Sequence, residues 1–230
     1  MKLQEWVTLP TEWIENKGLK NFKWGSAGEG ADNIAALMIL IALAHHADDE
    51  GVSKLTYDNL CDITNLSRAV VSRGLTVLER LRIVEREPCG RSSYKISDYS
   101  KHKGWGKLPA KRLYTSDYIT AFNEFRLRRR QELNALKMYL LFVARRDRKT
   151  NMAHISYTTI EKYTGIARND IKGGISVLTG NGLVHVEHVP SNTSEHGTAN
   201  AYRLAYLDTN IHMGTRGRGM TAESFGEVVF

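Results

Sequence analysis

From Ile34 to Ala44 every side chain is apolar. A helix without a polar face belongs in an interior, so this run, continued to His46, predicts a central buried helix. A second such helix is expected over Leu133 to Arg145. After the first, the polar stretch Asp48-Asp49-Glu50-Gly51 interrupts the pattern. Thr56 then stands where a helix N-cap belongs, ahead of a short helix ending near Ile63. Three residues, Thr64-Asn65-Leu66, lead to a further N-cap at Ser67 and a helix running to about Arg80. In that helix Val71, Leu75 and Leu78 fall at i, i+4 and i+7, the stripe of an amphipathic helix. Ile83 to Glu87 and Ser93 to Ile96 read as short strands around the turn Pro88-Cys89-Gly90-Arg91.

The same succession is written again downstream. Trp6, Leu9, Pro10 and Ile14 return as Trp105, Leu108, Pro109 and Leu113, a shift of 99 positions (105 − 6). Ala36-Leu37 returns as Ala135-Leu136 at that shift. From Leu55-Thr56-Tyr57, which returns as Ile155-Ser156-Tyr157, the shift is 100 (155 − 55). Thr64, Arg68, Gly74, Val77, Leu78 and Val84 then recur unchanged as Thr164, Arg168, Gly174, Val177, Leu178 and Val184. Each copy opens with Trp-x-x-Leu-Pro, an extended segment because the residue before proline is pushed away from helix. In the second copy the strands are expected at Leu183 to Val189 and Ala201 to Leu204, around a longer polar loop, Pro190 to Thr198. Helix, helix-turn-helix, hairpin is the order of a winged helix. The expected fold class is therefore mainly α with small β wings (α+β): two tandem winged helix-turn-helix domains from an internal duplication. They span residues 1–99 and 100–206, and the polar tail 207–230 is expected to be disordered.

Charge changes the picture. Residues 1–99 carry 12 Lys+Arg against 14 Asp+Glu, a net of −2, and residues 100–206 carry 18 against 8, a net of +10. A basic half of this kind points to a polyanion, with nucleic acid leading and a merely solubilising surface as the plain alternative. Two cysteines without a pairing pattern, no secretory signal and no apolar run long enough to span a bilayer predict a soluble cytoplasmic protein.

Leu66-Ser67-Arg68-Ala69-Val70-Val71-Ser72-Arg73-Gly74-Leu75, followed by Leu78-Glu79-Arg80-Leu81-Arg82-Ile83-Val84, resembles the recognition helix and wing entry of bacterial winged-helix DNA-binding proteins. The Trp-x-x-Leu-Pro opening resembles phage and plasmid replication proteins with winged-helix domains. Two tandem copies are similar to the architecture of plasmid theta-replication initiators. The resemblance implies sequence-specific binding of double-stranded DNA, most simply by a replication initiator of a plasmid, phage or other mobile element acting at origin repeats. A transcriptional repressor at an operator is the alternative, and a protein-interaction scaffold the rival from another class. Partners beyond DNA would be replication or transcription machinery; a homodimer is left open.

With the apolar stripe inward, helical geometry turns Ala69, Ser72, Arg73 and Thr76 outward, with Ser67 and Arg68 at the N-terminal edge. The matching set is Arg168, Asn169, Lys172, Gly173 and Ser176. Arg73 suits guanine O6 and N7, Asn169 suits adenine N6 and N7, and Thr76 or Ala69 a thymine methyl. Arg86, Arg91 and Lys95 of the first hairpin would reach phosphates or the adjacent minor groove. The runs Arg126-x-Arg128-Arg129-Arg130 and Arg145-Arg146-x-Arg148-Lys149 are either solvated faces or salt-sensitive backbone contacts. Thr215-Arg216-Gly217-Arg218-Gly219 lies in the tail.

A metal-dependent nuclease, which would nick DNA only with added divalent cation, is a third rival, and the residues speak against it. Gly25-Ser26-Ala27-Gly28-Glu29-Gly30 lacks the Lys-Ser/Thr of a Walker A loop and reads as a flexible loop. His185 and His188 are separated by two residues and so point to opposite faces of a strand. Neither that pair nor His45-His46-x-Asp48-Asp49 converges as a metal site must. No enzyme, cofactor or metal is expected.

Overall fold

A computed structural model describes residues 3–25, 28–190 and 198–207. The fold is mixed α+β, with helices predominating and small antiparallel sheets. The order helix, strand, helix, helix, strand, strand occurs twice, each time after an opening strand and a stretch that differs between the two. Strand β1 (Trp6–Pro10) and short helix α1 (Glu12–Glu15) lead to α2 (Glu29–His45), β2 (Val52–Lys54), α3 (Tyr57–Thr64), α4 (Arg68–Arg80), β3 (Val84–Arg86) and β4 (Ser93–Ile96). Strand β5 (Trp105–Pro109) and the two-residue strands β6 (Tyr114–Thr115) and β7 (Tyr118–Ile119) lead to α5 (Arg130–Arg145), β8 (Met152–Ala153), α6 (Tyr157–Thr164), α7 (Arg168–Gly180), β9 (Val184–Pro190) and β10 (Thr198–Leu204).

The short helices start where their caps require. Thr56 Oγ1 accepts the Asn59 N–H at 3.1 Å while Asn59 Oδ1 accepts the Thr56 N–H at 3.0 Å, a reciprocal capping box. Ser156 accepts from the Thr159 N–H at 3.1 Å in the second half. Both helices end on a left-handed residue, Asn65 or Gly165, which turns the chain sharply into α4 or α7. Ser67 occupies the N-cap position of α4, but its side chain makes no capping hydrogen bond.

Two expectations need correction, and a third holds with a pairing added to it. The glycine stretch is not simply a loop: Gly28 caps α2 at φ 87°, and Glu29 and Gly30 already belong to the helix. Gly30 packs so closely under Trp24 that a Cβ would lie 2.4 Å from the ring, so there glycine serves packing rather than flexibility. Each hairpin gains a third strand, giving the orders β2-β4-β3 and β8-β10-β9. The Trp-x-x-Leu-Pro segments are extended, and they pair with each other. Trp6 lies opposite Pro109, Thr8 opposite Lys107 and Pro10 opposite Trp105, with the Trp6 and Trp105 rings stacked 5.9 Å apart.

A single hydrophobic cluster runs through both halves, with α2 and α5 packed against each other at its centre. Helix α4 lies on α2, and α7 lies on α5. Gly74 and Gly174 permit that approach. A Cβ on Gly74 would stand 3.0 Å from the Ala36 nitrogen, and one on Gly174 3.2 Å from the Ala135 nitrogen.

Polar groups lock the junction. His45 is fully buried, with Nε2 2.9 Å from the Pro109 carbonyl and Nδ1 3.0 Å from the Tyr114 hydroxyl. The carbonyl can only accept, so Nε2 carries the proton and the Tyr114 hydroxyl donates to Nδ1. Burial pushes the His45 pKa down to about 3, the neighbouring His46 adding to the effect, and the ring is neutral. Lys137, buried in α5, donates to the Phe22 carbonyl at 2.9 Å, and burial pulls its pKa down to about 8. Among the described residues no helix is long and apolar enough to cross a membrane.

Candidate nucleic-acid interface

The first turns of α4 and α7 carry one arrangement in two places. Arg68 extends over the Tyr57 ring, 5.2 Å from its centroid, and Arg168 extends over Tyr157 at 5.6 Å. Both tyrosines are the first residue of the preceding helix, and both arginines the first residue of the next. An aromatic face holds a guanidinium without consuming its N–H donors. Arg68 also donates to Asp58 at 2.7 Å, yet both side chains remain mostly open to solvent, 68% and 79% exposed, so an anion can replace that partner at small cost. Tyr57 and Tyr157 were not among the expected site residues. Their signal was the identical spacing to arginine, 11 positions (68 − 57 and 168 − 157).

The remaining positions of the first helix divide. Ser67, Ala69, Arg73 and Thr76 are exposed and Ser72 is half-buried. Arg73 is tied to Asp32 in the first turn of α2, Nε to Oδ1 at 2.7 Å, and must leave that carboxylate to reach a base. Arg86 departs further from expectation. It is half-buried, 3.1 Å from Glu79 and donating to Thr76 Oγ1 at 2.9 Å, so it pins the hairpin to α4 rather than reaching outward. Arg91 and Lys95 are exposed on that hairpin.

In the second half Asn169, Lys172 and Ser176 are exposed along α7. Ser176 Oγ donates to the Lys172 carbonyl at 3.0 Å, which leaves its lone pairs to accept from a base amino group. At the position of Arg73 stands Gly173, and at that of Asp32 stands Gln131 (32 + 99), whose Cγ would lie 3.0 Å from a Cβ on Gly173. Both members of the ion pair are thus replaced together.

The two basic runs part company. Glu132 is buried, and its carboxylate accepts the backbone N–H groups of Arg126, Arg128 and Arg129 at 2.8, 3.0 and 3.2 Å. Turning those amides inward sends the three exposed side chains outward around a recess of about 450 Å³. Among the described residues no carboxylate pairs with them, while Arg130 reaches Asp170 on α7 at 3.5 Å. This loop therefore borders the exposed side of α7. Arg145, by contrast, pairs with Glu15 and covers Tyr163, and Arg146 donates to Asn151 Oδ1 at 3.0 Å. Those two are structural; only Arg148 and Lys149 of that run are exposed.

His185 and His188 are exposed on β9, and among the described residues no three metal-ligating side chains converge. Residues 191–197 of the second hairpin loop, Ser26 and Ala27, and the tail from 208 onward, including Arg216 and Arg218, lie outside the described residues. Comparison with family models, with curated proteins and with solved structures gave no match.

Proposed function

We propose that the chain binds double-stranded DNA sequence-specifically through two winged-helix units, residues 1–99 and 100–206, with α4 and α7 as the helices that enter major grooves. One observation carries the reading: Arg68 on Tyr57 and Arg168 on Tyr157, the same exposed cation at the same helix start in both halves. The Arg126–Arg129 loop beside α7 supports it, since exposed guanidiniums on a pinned backbone suit phosphates. In this reading Arg73, Asn169, Lys172 and Ser176 discriminate bases, and Arg91 and Lys95 steady the duplex. No catalytic step is part of it.

The biological use put first is replication initiation for a plasmid, phage or other mobile element, on the strength of the tandem arrangement and the Trp6-x-x-Leu9-Pro10 opening. Selection of bound sequences from a random duplex pool, repeated at several salt concentrations, is the test. The reading expects an enriched motif and an affinity that falls steeply with salt. A pool that stays random at every salt concentration, with no duplex retained, would overturn it. Clustered copies of the motif near the gene favour initiation, and a single copy over a promoter favours repression.

A further inference from the structure

The pairing of β1 with β5 has a symmetry. Since position n of the first half corresponds to n + 99 in the second, the pair Trp6 with Pro109 maps onto Trp105 with Pro10, its own reverse, and Thr8 faces its equivalent Lys107 at the centre. Equivalent strands that run antiparallel about equivalent residues have a two-fold axis through that centre. Other contacts obey the same rule. Helices α2 and α5, equivalents, pack on each other. The single turn Gly18–Asn21 of the first half packs on α6, and β7, its counterpart in the second, packs on α3. Glu15 pairs with Arg145, while Tyr114 (15 + 99) sits 3.5 Å from Nε2 of His46 (145 − 99). Contacts in which each half offers the same patch to the other are isologous, as in a symmetric dimer; a head-to-tail tandem would use two different patches.

We infer that the DNA target is an imperfect inverted repeat, occupied across both half-sites by one copy of this chain. The inference rests on the DNA-binding reading above. A two-fold relation between the helices, matched to that of a duplex, makes α4 and α7 run in opposite senses through grooves about 34–36 Å apart. Bases read by α4 on one strand are then read by α7 on the other. The halves of the repeat are unequal because their readers are: Arg73 against Gly173, Ala69 against Asn169, Ser72 against Lys172.

The test uses Arg80→Cys and Gly180→Cys, equivalent exposed positions at the C-terminal ends of α4 and α7; a Cβ at Gly180 meets open space. Each is made in the full chain with Cys61 and Cys89 replaced by serine, coupled to an iron chelate and bound to the duplex selected from the random pool. Cleavage from the two variants is expected on opposite strands, mirrored about the site centre, at one chain per duplex. Inverting one half-site in place is expected to weaken binding at least tenfold. Cuts displaced along the same strand, or two duplexes held by one chain, would overturn the inverted repeat and leave DNA binding intact. A chain that retains no duplex would instead overturn the reading beneath it.

Discussion

The two halves share a scaffold and divide its surface differently. In the first, Arg73 is balanced by Asp32, Glu29 opens the central helix, and residues 1–99 are slightly acidic at −2 (12 − 14). In the second, the Arg73 and Asp32 positions hold Gly173 and Gln131, the Glu29 position holds Arg128, and residues 100–206 reach +10 (18 − 8). Common to both are a central apolar helix, a glycine at the helix crossing and an arginine on a tyrosine. On the proposed reading the second half adds the backbone-binding arginine loop to its exposed helix, while in the first half the matching helix keeps its one arginine reader, Arg73, on a carboxylate.

The largest effect tests what the halves share. Arg68→Glu with Arg168→Glu should lower duplex affinity by about a hundredfold or more, at roughly 1–3 kcal/mol each. Because Arg68 is exposed and its pair with Asp58 weak, the urea midpoint should hardly move. A scaffold that binds only protein would keep its DNA affinity through both changes.

The next effect bears on the junction, where the halves differ because His45 corresponds to Ala144 (45 + 99). A histidine whose folded pKa is depressed to about 3 favours unfolding as it takes up a proton. Its stabilising contribution is complete above the unfolded value near 6.5 and is lost as pH falls toward 3, at up to about 1.4 kcal/mol per pH unit. Urea midpoints between pH 7 and pH 4.5 should fall accordingly, and His45→Ala should flatten that slope whatever it costs in packing.

Neutralising the arginine loop, Arg126→Gln with Arg128→Gln and Arg129→Gln, should weaken binding roughly tenfold at 0.1 M salt and equally for all sequences. The slope of log affinity against log salt should shrink by up to about 2.7, near 0.9 for each phosphate that is no longer neutralised. Glu29→Arg in the first half should steepen it by about 0.9 if the two faces are equivalent. Binding curves against salt decide both.

The smallest effect contrasts the glycines. A methyl at Gly74 meets backbone, 3.0 Å from the Ala36 nitrogen and 3.1 Å from the Ala35 carbonyl carbon, as well as the buried tip of Ile39. At Gly174 the nearest atom is the movable Met138 methyl, and Ala135 stands back at 3.2 Å. Gly74→Ala should cost about 1–2 kcal/mol and Gly174→Ala close to nothing, since alanine's helix propensity offsets about 1 kcal/mol. Thermal melts of the two variants measure the contrast.

Local signals explain what could be read from the chain. Thr56 and Ser156 mark helix starts because a hydroxyl there satisfies a free N–H, and Val71, Leu75 and Leu78 mark the buried face of α4; these elements lie where expected. The three-residue strand β2 was missed because it is too short to show a period, and the start of α2 because Gly30 is there to admit Trp24 rather than to bend. The β1–β5 pairing joins segments a hundred residues apart, and nothing at Trp6 names Trp105 as its neighbour. At the site, the position of Arg68 and Arg168 was legible. That Asp32 restrains Arg73 across 41 positions, and that Glu132 splays the arginine loop, emerge only when α2 and α5 are in place.

The apolar seam between α2 and α5 closes within one polypeptide, so its two sides never have to find each other by diffusion. On the proposed reading of one chain across a two-part target, occupancy should then rise in simple proportion to protein at low abundance, without the sigmoid threshold of subunits that must first associate. Either side can also acquire a mutation that the other does not share, a freedom denied to identical subunits.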